Sequence, residues 1–275
     1  METWLGELSL LGKVLLRALA LTAVMAAVLL VSVLAGRVLP GGEEIAFALY
    51  DGTNPDIYRM DIDHNLRFNL THRSGYDSNP AWSQDGSWIV FTSDREGAVN
   101  VYVMDAIGRA YYSLVPEGSG FFHTARWSED GQHVYLFQGA QDSQRIFSVQ
   151  LDGSDFYEVT EEVSAGLRRD FDIDPHSLSL SISPDGDRSA FVAFRNGQWG
   201  IYLADERRRN AHMIAAIGRQ YNEQPIWSRD GEHVAYVARM DGRVDVYLIH
   251  TNTPTPVPQR LTHDLAIEAS ISWRP

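Results

Sequence analysis

The sequence predicts an all-β protein, a five-bladed β-propeller that follows a single transmembrane α-helix. Three observations support this prediction. A short motif recurs at nearly fixed steps, each copy is accompanied by strand-like segments, and an uncharged stretch of 19 residues precedes the first copy. The expected domains are a short N-terminal segment at residues 1–17, the helix at 18–36, a linker at 37–43 and the propeller at 44–275.

The recurring motif reads Trp-Ser-x-Asp-Gly, with Ile-Ser-Pro-Asp-Gly in one copy and Trp-Arg-Pro in the last. The copies begin at Trp82, Trp127, Ile182, Trp227 and Trp273. The steps between them are 45, 55, 45 and 46 residues. A fixed period in this range indicates one copied supersecondary unit, and four short strands per unit are typical of a propeller blade. The extra residues of the long step fit a loop over residues 161–177.

Each copy contains segments rich in the aromatic and β-branched residues that favour a pleated sheet. In the first complete copy, strands are expected at residues 79–83, 88–93, 99–104 and 110–115, and the tight turn after the first strand is Asp85-Gly86. Second strands are also expected at residues 45–50, 133–138, 188–194 and 233–238. Third strands are also expected at residues 56–62, 145–151, 199–204 and 244–249.

The order of segments at the two ends predicts how the ring closes. The first copy opens at its second strand, residues 45–50, whereas the last copy is an isolated first strand, residues 270–273. These two segments are expected to pair and complete one blade, which gives five blades. Such closure removes the exposed edges of an open sheet.

The motif, the outer-strand endings Asn69-Leu70-Thr71 and Arg260-Leu261-Thr262, and the period together resemble the TolB-like propeller repeat over residues 44–275. The resemblance implies an extracytoplasmic bacterial protein or domain that binds other proteins, and related propellers serve as substrate gates on peptidases. The chain departs from the best-known member of the family, which has six blades and an N-terminal α/β domain.

The uncharged stretch at residues 18–36 is long enough to span a bilayer once, because a helix of this length covers roughly 28 Å. Lys13 and Arg17 precede it and Arg37 follows, so the basic residues favour a cytoplasmic N-terminus and an extracytoplasmic propeller. The alternative is a cleaved signal peptide with a cleavage site at Val33-Leu34-Ala35. The chain contains no cysteine for a disulfide or a lipid anchor.

The net charge of −13 argues against a nucleic-acid partner, because a phosphate backbone is bound by clustered Lys and Arg. No catalytic motif is present, and no cofactor is predicted. Two acidic runs, Asp61-Ile-Asp63 and Asp170-Phe-Asp172, lack the Gly and Glu of a calcium loop, so no metal site is predicted.

The strand order gives the propeller two different faces. The turn face carries the uniform Asp-Gly turns, and the variable face carries the long blade-to-blade loops at residues 72–78, 116–122, 161–176, 215–224 and 263–269. Variable loops on a rigid scaffold are where binding usually occurs. The linker joins the propeller at Glu44, the start of a second strand, and that end of the strand lies on the turn face. We therefore expect the turn face to look toward the membrane.

The candidate partner-binding residues lie on the variable face. Phe121 and Phe122 follow the flexible Gly118-Ser-Gly segment and fit an exposed contact anchor, although core positions between blades are the alternative. The residues expected to ring the mouth of the central channel are Tyr76, Asp77, His123, His176, Tyr221, Asn222, Glu223 and Glu268. This ring fits a peptide end or a cation, whereas plain solvated channel residues are the alternative. The recurrent Trp residues are expected to fill the space between sheets.

The sequence thus predicts a membrane-anchored, extracytoplasmic propeller that acts as a protein interaction module. It acts either alone or as an accessory subunit of a larger membrane complex. The alternative is a secreted or anchored carbohydrate-active or ligand-binding propeller, in which Asp77, Glu223 and Glu268 would supply the carboxylates. No local motif supports catalysis, so the chain is expected not to be an enzyme.

Overall fold

A computed structural model describes the chain at residues 42–50, 52–72, 75–139, 145–160, 180–205, 207, 209–218, 224–253, 255–263 and 267–275, with the backbone alone at 267–269. The chain divides into two compact units, Met1–Gly41 and Gly42–Pro275, and the described residues all belong to the second. The predicted helix at residues 18–36 lies outside them. Within the described ranges, no helix has the length and apolar character needed to cross a membrane.

The described residues form twenty strands in five four-stranded antiparallel sheets, which confirms the all-β prediction. The first sheet has the order β20-β1-β2-β3, and each of the others takes four consecutive strands. The first sheet contains β1 (Glu44–Tyr50), β2 (Pro55–Asp61), β3 (Leu66–Asn69) and β20 (Ile267–Trp273). The second sheet contains β4 (Asp77–Trp82), β5 (Trp88–Ser93), β6 (Asn100–Asp105) and β7 (Tyr111–Ser113).

The other three sheets repeat this plan. The third contains β8 (Thr124–Trp127), β9 (His133–Gln138), β10 (Arg145–Gln150) and β11 (Tyr157–Glu158). The fourth contains β12 (Leu180–Ile182), β13 (Arg188–Arg195), β14 (Gln198–Asp205) and β15 (His212–Ile217). The fifth contains β16 (Ile226–Trp227), β17 (His233–Met240), β18 (Arg243–His250) and β19 (Gln259–Arg260).

The central strands of each sheet are buried on both sides, because neighbouring sheets pack face to face. In β5, for example, Ile89 and Phe91 pack toward the first sheet, whereas Val90 packs toward the third. Four hydrophobic clusters join the sheets in the series fourth, fifth, first, second and third. This two-sided burial explains why the second strands read as nearly continuous apolar runs in the sequence.

The recurrent Trp residues occupy the junctions between sheets, as predicted. Trp82, Trp127 and Trp227 are all buried in these clusters. The indole Nε1 of Trp127 donates to the carbonyl of Ala81 at 3.0 Å, and that of Trp227 donates to the carbonyl of Ser181 at 3.0 Å. Each bond ties one innermost strand to that of the preceding sheet. Ile182 replaces Trp in the fourth sheet, where it is exposed and cannot make this bond.

The two ends of the propeller unit pair as the sequence predicted. Strand β20 lies antiparallel to β1, with Ile45 opposite Trp273 and Phe47 opposite Ile271. A buried carboxylate supports this pairing: Arg274 donates to the carboxylate of Glu44, and Arg59 lies 3.6 Å from the other oxygen of that carboxylate. Arg59 also donates to the carbonyl of Ala106 in the second sheet. One buried carboxylate thus joins both ends of the unit and the neighbouring sheet.

In the second to fifth sheets, the turn after the first strand is built on one repeated set of hydrogen bonds. The Ser hydroxyl of the motif donates to the Asp Oδ1 at 2.5–2.6 Å and accepts the amide five residues later at 2.9 Å. The Asp Oδ1 also accepts the amide two residues later at 2.8–3.1 Å. The pairs are Ser83 with Asp85, Ser128 with Asp130, Ser183 with Asp185 and Ser228 with Asp230. We call this arrangement the turn lock.

The first prediction concerns the Ser of the turn lock. Ser83→Ala leaves the amide of Trp88 and the carboxylate of Asp85 without their shared hydroxyl, so we expect a loss of about 1–3 kcal/mol in the free energy of unfolding. Urea denaturation measures it. Ser154→Ala is the matched control, because Ser154 makes a similar 2.6 Å bond to Asp152 in an exposed turn and its loss has little effect. Equal losses in both variants would contradict a special role for the lock.

We also expect the folded protein to lose stability at low pH through the Asp carboxylates of the turn lock. Hydrogen bonds from Ser83 and from the amide of Ser87 hold the pKa of Asp85 below its ordinary value of 3.8, and Ser hydroxyls act in the same direction on Asp130 and Asp185. A lowered folded pKa stabilises the protein above the unfolded pKa, and this contribution is lost as the pH falls through the folded pKa. Unfolding free energy should therefore drop below about pH 4, and less steeply in Ser83→Ala. Identical pH profiles would refute this explanation.

The third prediction concerns Glu44. Glu44→Gln removes the buried carboxylate that lies 3.6 Å from the guanidinium of Arg59, so we expect a loss of about 3–5 kcal/mol in unfolding free energy. Glu158→Gln is the control, because the Glu158–Arg145 pair is exposed to solvent and contributes little. Similar denaturation midpoints for the wild type and Glu44→Gln would show that closure does not depend on this carboxylate.

Candidate functional site

The register of the sheets determines which residues lie on the variable face. In the second sheet, the turn lock joins the end of β4 to the start of β5, and Trp82 pairs with Ile89 beside it. At the opposite edge Asp77, which begins β4, pairs with Ser93, which ends β5. The variable face is therefore built from the starts of first strands and the ends of second strands. This is where the sequence placed the partner-binding residues.

Four exposed aromatic side chains lie at this edge, one from each of the first four sheets. Tyr76 and Phe121 precede the first strands β4 and β8, whereas Tyr50 and Phe194 lie at the ends of the second strands β1 and β13. Phe121 has 53% of its surface exposed. Tyr50 and Phe194 were missed in the sequence analysis, although each is the last aromatic residue of a predicted second strand.

Phe122 corrects the prediction of an adjacent pair of contact residues. Its side chain is fully buried, and its ring meets those of Phe147 and Phe156 edge to face at 5.4 and 6.2 Å. Phe121 faces solvent, whereas Phe122 fills the core between the second and third sheets. Of the two expected anchors, only Phe121 is accessible to a partner.

Asp77 also differs from the expectation of an exposed channel-mouth residue. It is fully buried, and its Oδ1 accepts a hydrogen bond from Arg95 at 3.0 Å. The Arg95 guanidinium lies over the rings of Phe91, Tyr102 and Tyr111 at 4.4–5.0 Å. A sequence reading misses this pair because Arg95 lies eighteen residues further along the chain. Asp77 fastens the start of β4 and presents no carboxylate to a ligand.

The other residues predicted to ring the channel mouth differ in exposure, and several lie outside the described ranges. Tyr76 is exposed, and its amide donates to Asp94 Oδ1 at 2.6 Å. His123 is half-buried, and burial lowers the pKa of its imidazole. Glu268 lies on β20 opposite Leu49, but its side chain is outside the described part of the chain. The remaining residues, His176, Tyr221, Asn222 and Glu223, also lie outside the described ranges, so the ring itself stays a prediction.

The turn face carries a cluster that the sequence analysis did not single out, made of Glu43, Asp230 and His233. Burial and the neighbouring carboxylate of Asp230 raise the pKa of Glu43 to about 7. Burial and the nearby His250 lower the pKa of His233. No local motif reveals the cluster, because Glu43 and Asp230 are far apart in the sequence.

A series of four-stranded antiparallel sheets, each packed on the next and one of them completed by the two ends of the unit, defines a β-propeller. The profile of the TolB beta propeller domain matches residues 13–166, which is more than half of the chain. The chain belongs to that family.

Two relatives with known sequences are similar to part of this chain. The chain is 26% identical over 192 residues to the uncharacterized protein Atu1656 of Agrobacterium fabrum, covering 66% of this chain and 46% of that protein. It is 28% identical over 176 residues to the TolB homolog of Chlorobium luteolum, covering 64% of this chain and 37% of that protein. The chain thus spans less than half the length of these curated relatives.

Among solved structures, TolB from Acinetobacter baumannii is 20% identical, with a TM-score of 0.44 over 84% of this chain and 54% of that one. An oligogalacturonate lyase in complex with manganese is 15% identical, with a TM-score of 0.33 over 72% of this chain and 55% of that one.

Proposed function

We propose that this chain is a five-bladed, membrane-anchored propeller on the extracytoplasmic side, where it binds another protein through its variable face. Membership of the TolB beta propeller family supports a protein-interaction role. Residues 18–36 supply the proposed anchor, and the turn face looks toward the bilayer. The proposed role is non-enzymatic, either alone or as an accessory subunit of a membrane complex.

The observation that carries this proposal is the set of exposed aromatic residues on the variable face. Tyr50, Tyr76, Phe121 and Phe194 come from four different sheets and lie at the same edge of each. Large aromatic side chains dominate the energetics of protein interfaces, because they bury much area for little loss of conformational freedom. Each of these residues lies on a sheet strand or shortly before one, so little further ordering of the chain is needed when a partner binds.

The buried groups at this edge contribute to the same role. The Asp77–Arg95 pair fastens the chain directly after Tyr76, and Phe122 fixes the segment that presents Phe121. Each exposed aromatic therefore follows or precedes a residue that is packed in the core. A partner would meet a preformed surface with these side chains as its contact points.

The test is to purify the tagged full-length chain in mild detergent, measure its intact mass, and identify by mass spectrometry any protein that co-purifies with it. We expect a stoichiometric protein companion and retention of residues 18–36. Phe121→Ala should weaken retention of that companion by about 30-fold, as expected for a central interface residue. The readout is the dissociation constant of the purified companion.

Tyr157→Ala is the matched control, because Tyr157 is also 53% exposed but lies on β11, the outermost strand of the third sheet. Its loss should leave the affinity unchanged. Equal weakening by both variants, or none by Phe121→Ala, would refute a role for the variable face. A lone chain that begins near Gly36 would refute the anchor and favour a secreted propeller with soluble ligands.

A further inference from the structure

The Glu43, Asp230 and His233 cluster joins the first and fifth sheets on the turn face. Glu43 directly precedes β1, Asp230 belongs to the turn lock of the fifth sheet, and His233 begins β17. One potential ligand atom from each of the three side chains lies within 4.8 Å of the other two. The Nδ1 atom of His233 lies 3.7 Å from Oε2 of Glu43.

The turn around the cluster uses one of its carboxylate oxygens, and the side chains of Glu43 and Asp230 are hydrogen-bonded to each other. Asp230 uses Oδ1 for the turn lock, accepting bonds from Ser228 Oγ at 2.5 Å and from the amide of Glu232 at 2.8 Å. Its Oδ2 is not needed by the lock. His233 Nδ1 is buried and makes no hydrogen bond with the described residues. A buried nitrogen without a partner is costly, and a bound ion at this position would remove the cost.

The charges around the cluster favour a cation. The negative charges of Asp63 and Glu232 act on Glu43 in addition to that of Asp230. Negative charge from several carboxyl groups therefore acts at this position, and a ring nitrogen of His is a common metal ligand. The His233 Nδ1 that lacks a hydrogen bond is also the ring atom that lies 3.7 Å from Glu43 Oε2, so its burial and the nearby carboxylate favour the same ligand.

We propose that Glu43, Asp230 and His233 bind one divalent transition-metal cation of the zinc class. An imidazole with two carboxylates is a donor set that suits zinc, whereas calcium and magnesium prefer oxygen ligands alone. Tetrahedral coordination at about 2.1 Å places ligand atoms about 3.4 Å apart. The 3.7 Å approach of Glu43 and His233 is close to this spacing, and small side-chain rotations bring Asp230 into place.

The third sheet provides an internal comparison. Asp130 and His133 occupy the same positions in its turn lock as Asp230 and His233 do in the fifth sheet. The described ranges nevertheless contain just one group of three potential ligands, the one that includes Glu43. The residue that distinguishes the two turns therefore comes from the first sheet, at the point where the chain begins β1.

A bound metal would link the start of the first sheet to the turn of the fifth. The carbonyl of Glu43 already accepts the amide of Ile62 at 2.9 Å, so the backbone at this position is part of the first sheet. The metal would thus add a second connection between these sheets, beside the hydrophobic cluster that they share. The metal would also hold Glu43, the last residue of the predicted linker, in place.

The test uses the full-length chain in detergent, freed of metal with EDTA and titrated with Zn²⁺ in a calorimeter. We expect one Zn²⁺ per chain and a rise in the thermal unfolding midpoint when Zn²⁺ is added. Glu43→Gln and His233→Gln should each weaken Zn²⁺ binding by about 100-fold or more. Co²⁺ in place of Zn²⁺ should give visible absorption bands that both variants lose.

The control is the double variant Asp130→Asn/His133→Gln, which changes the equivalent turn of the third sheet and should keep wild-type Zn²⁺ binding. Circular dichroism of each variant without metal checks that it is folded. Absence of Zn²⁺ binding by the folded wild type would overturn the proposal. Wild-type affinity in Glu43→Gln or His233→Gln, or equal loss in the control, would also overturn it.

Discussion

The turn lock is the interaction on which the other features of this propeller depend. One Ser hydroxyl bridges an Asp carboxylate and a backbone amide, and the arrangement recurs in four sheets with nearly the same distances. Because it fixes how the first strand meets the second, it decides which strand ends lie on each face in the second to fifth sheets. The exposed aromatic residues are collected at one edge, and the Glu43 cluster lies at the other.

The first sheet uses a different solution, because its first and second strands are distant in the sequence and no turn can join them. In this sheet, contacts of the buried Glu44 carboxylate link the strands, where the other sheets use the Ser hydroxyl of the turn lock. The carboxylate of Glu44 holds Arg274 beyond β20 and approaches Arg59 within its own sheet. The same close approach of distant segments brings Glu43 beside the fifth sheet. Closure of the propeller and assembly of the candidate metal site are therefore consequences of one pairing.

The fold was largely readable from the sequence because its determinants are local and repeated. The second strands at residues 88–93 and 133–138 were predicted with the bounds that the structure shows, whereas the outer strand expected at 110–115 is only Tyr111–Ser113. Outer strands pair with a neighbour on one side only and bury little surface. The amino-acid composition therefore shows poorly where they begin and end. The site was less readable, because the burial of Asp77 depends on Arg95 and the cluster depends on contact between residues 43 and 230.

The pairing of β20 with β1 has a consequence for how the protein is made. More than 200 residues separate these strands, so β1 emerges from the ribosome long before its partner. Until then one edge of β1 has unpaired amides and carbonyls, which readily pair with other chains. Closing so long a loop is also slow. The interval between synthesis of β1 and synthesis of β20 is therefore the period in which a chaperone would protect this chain most effectively.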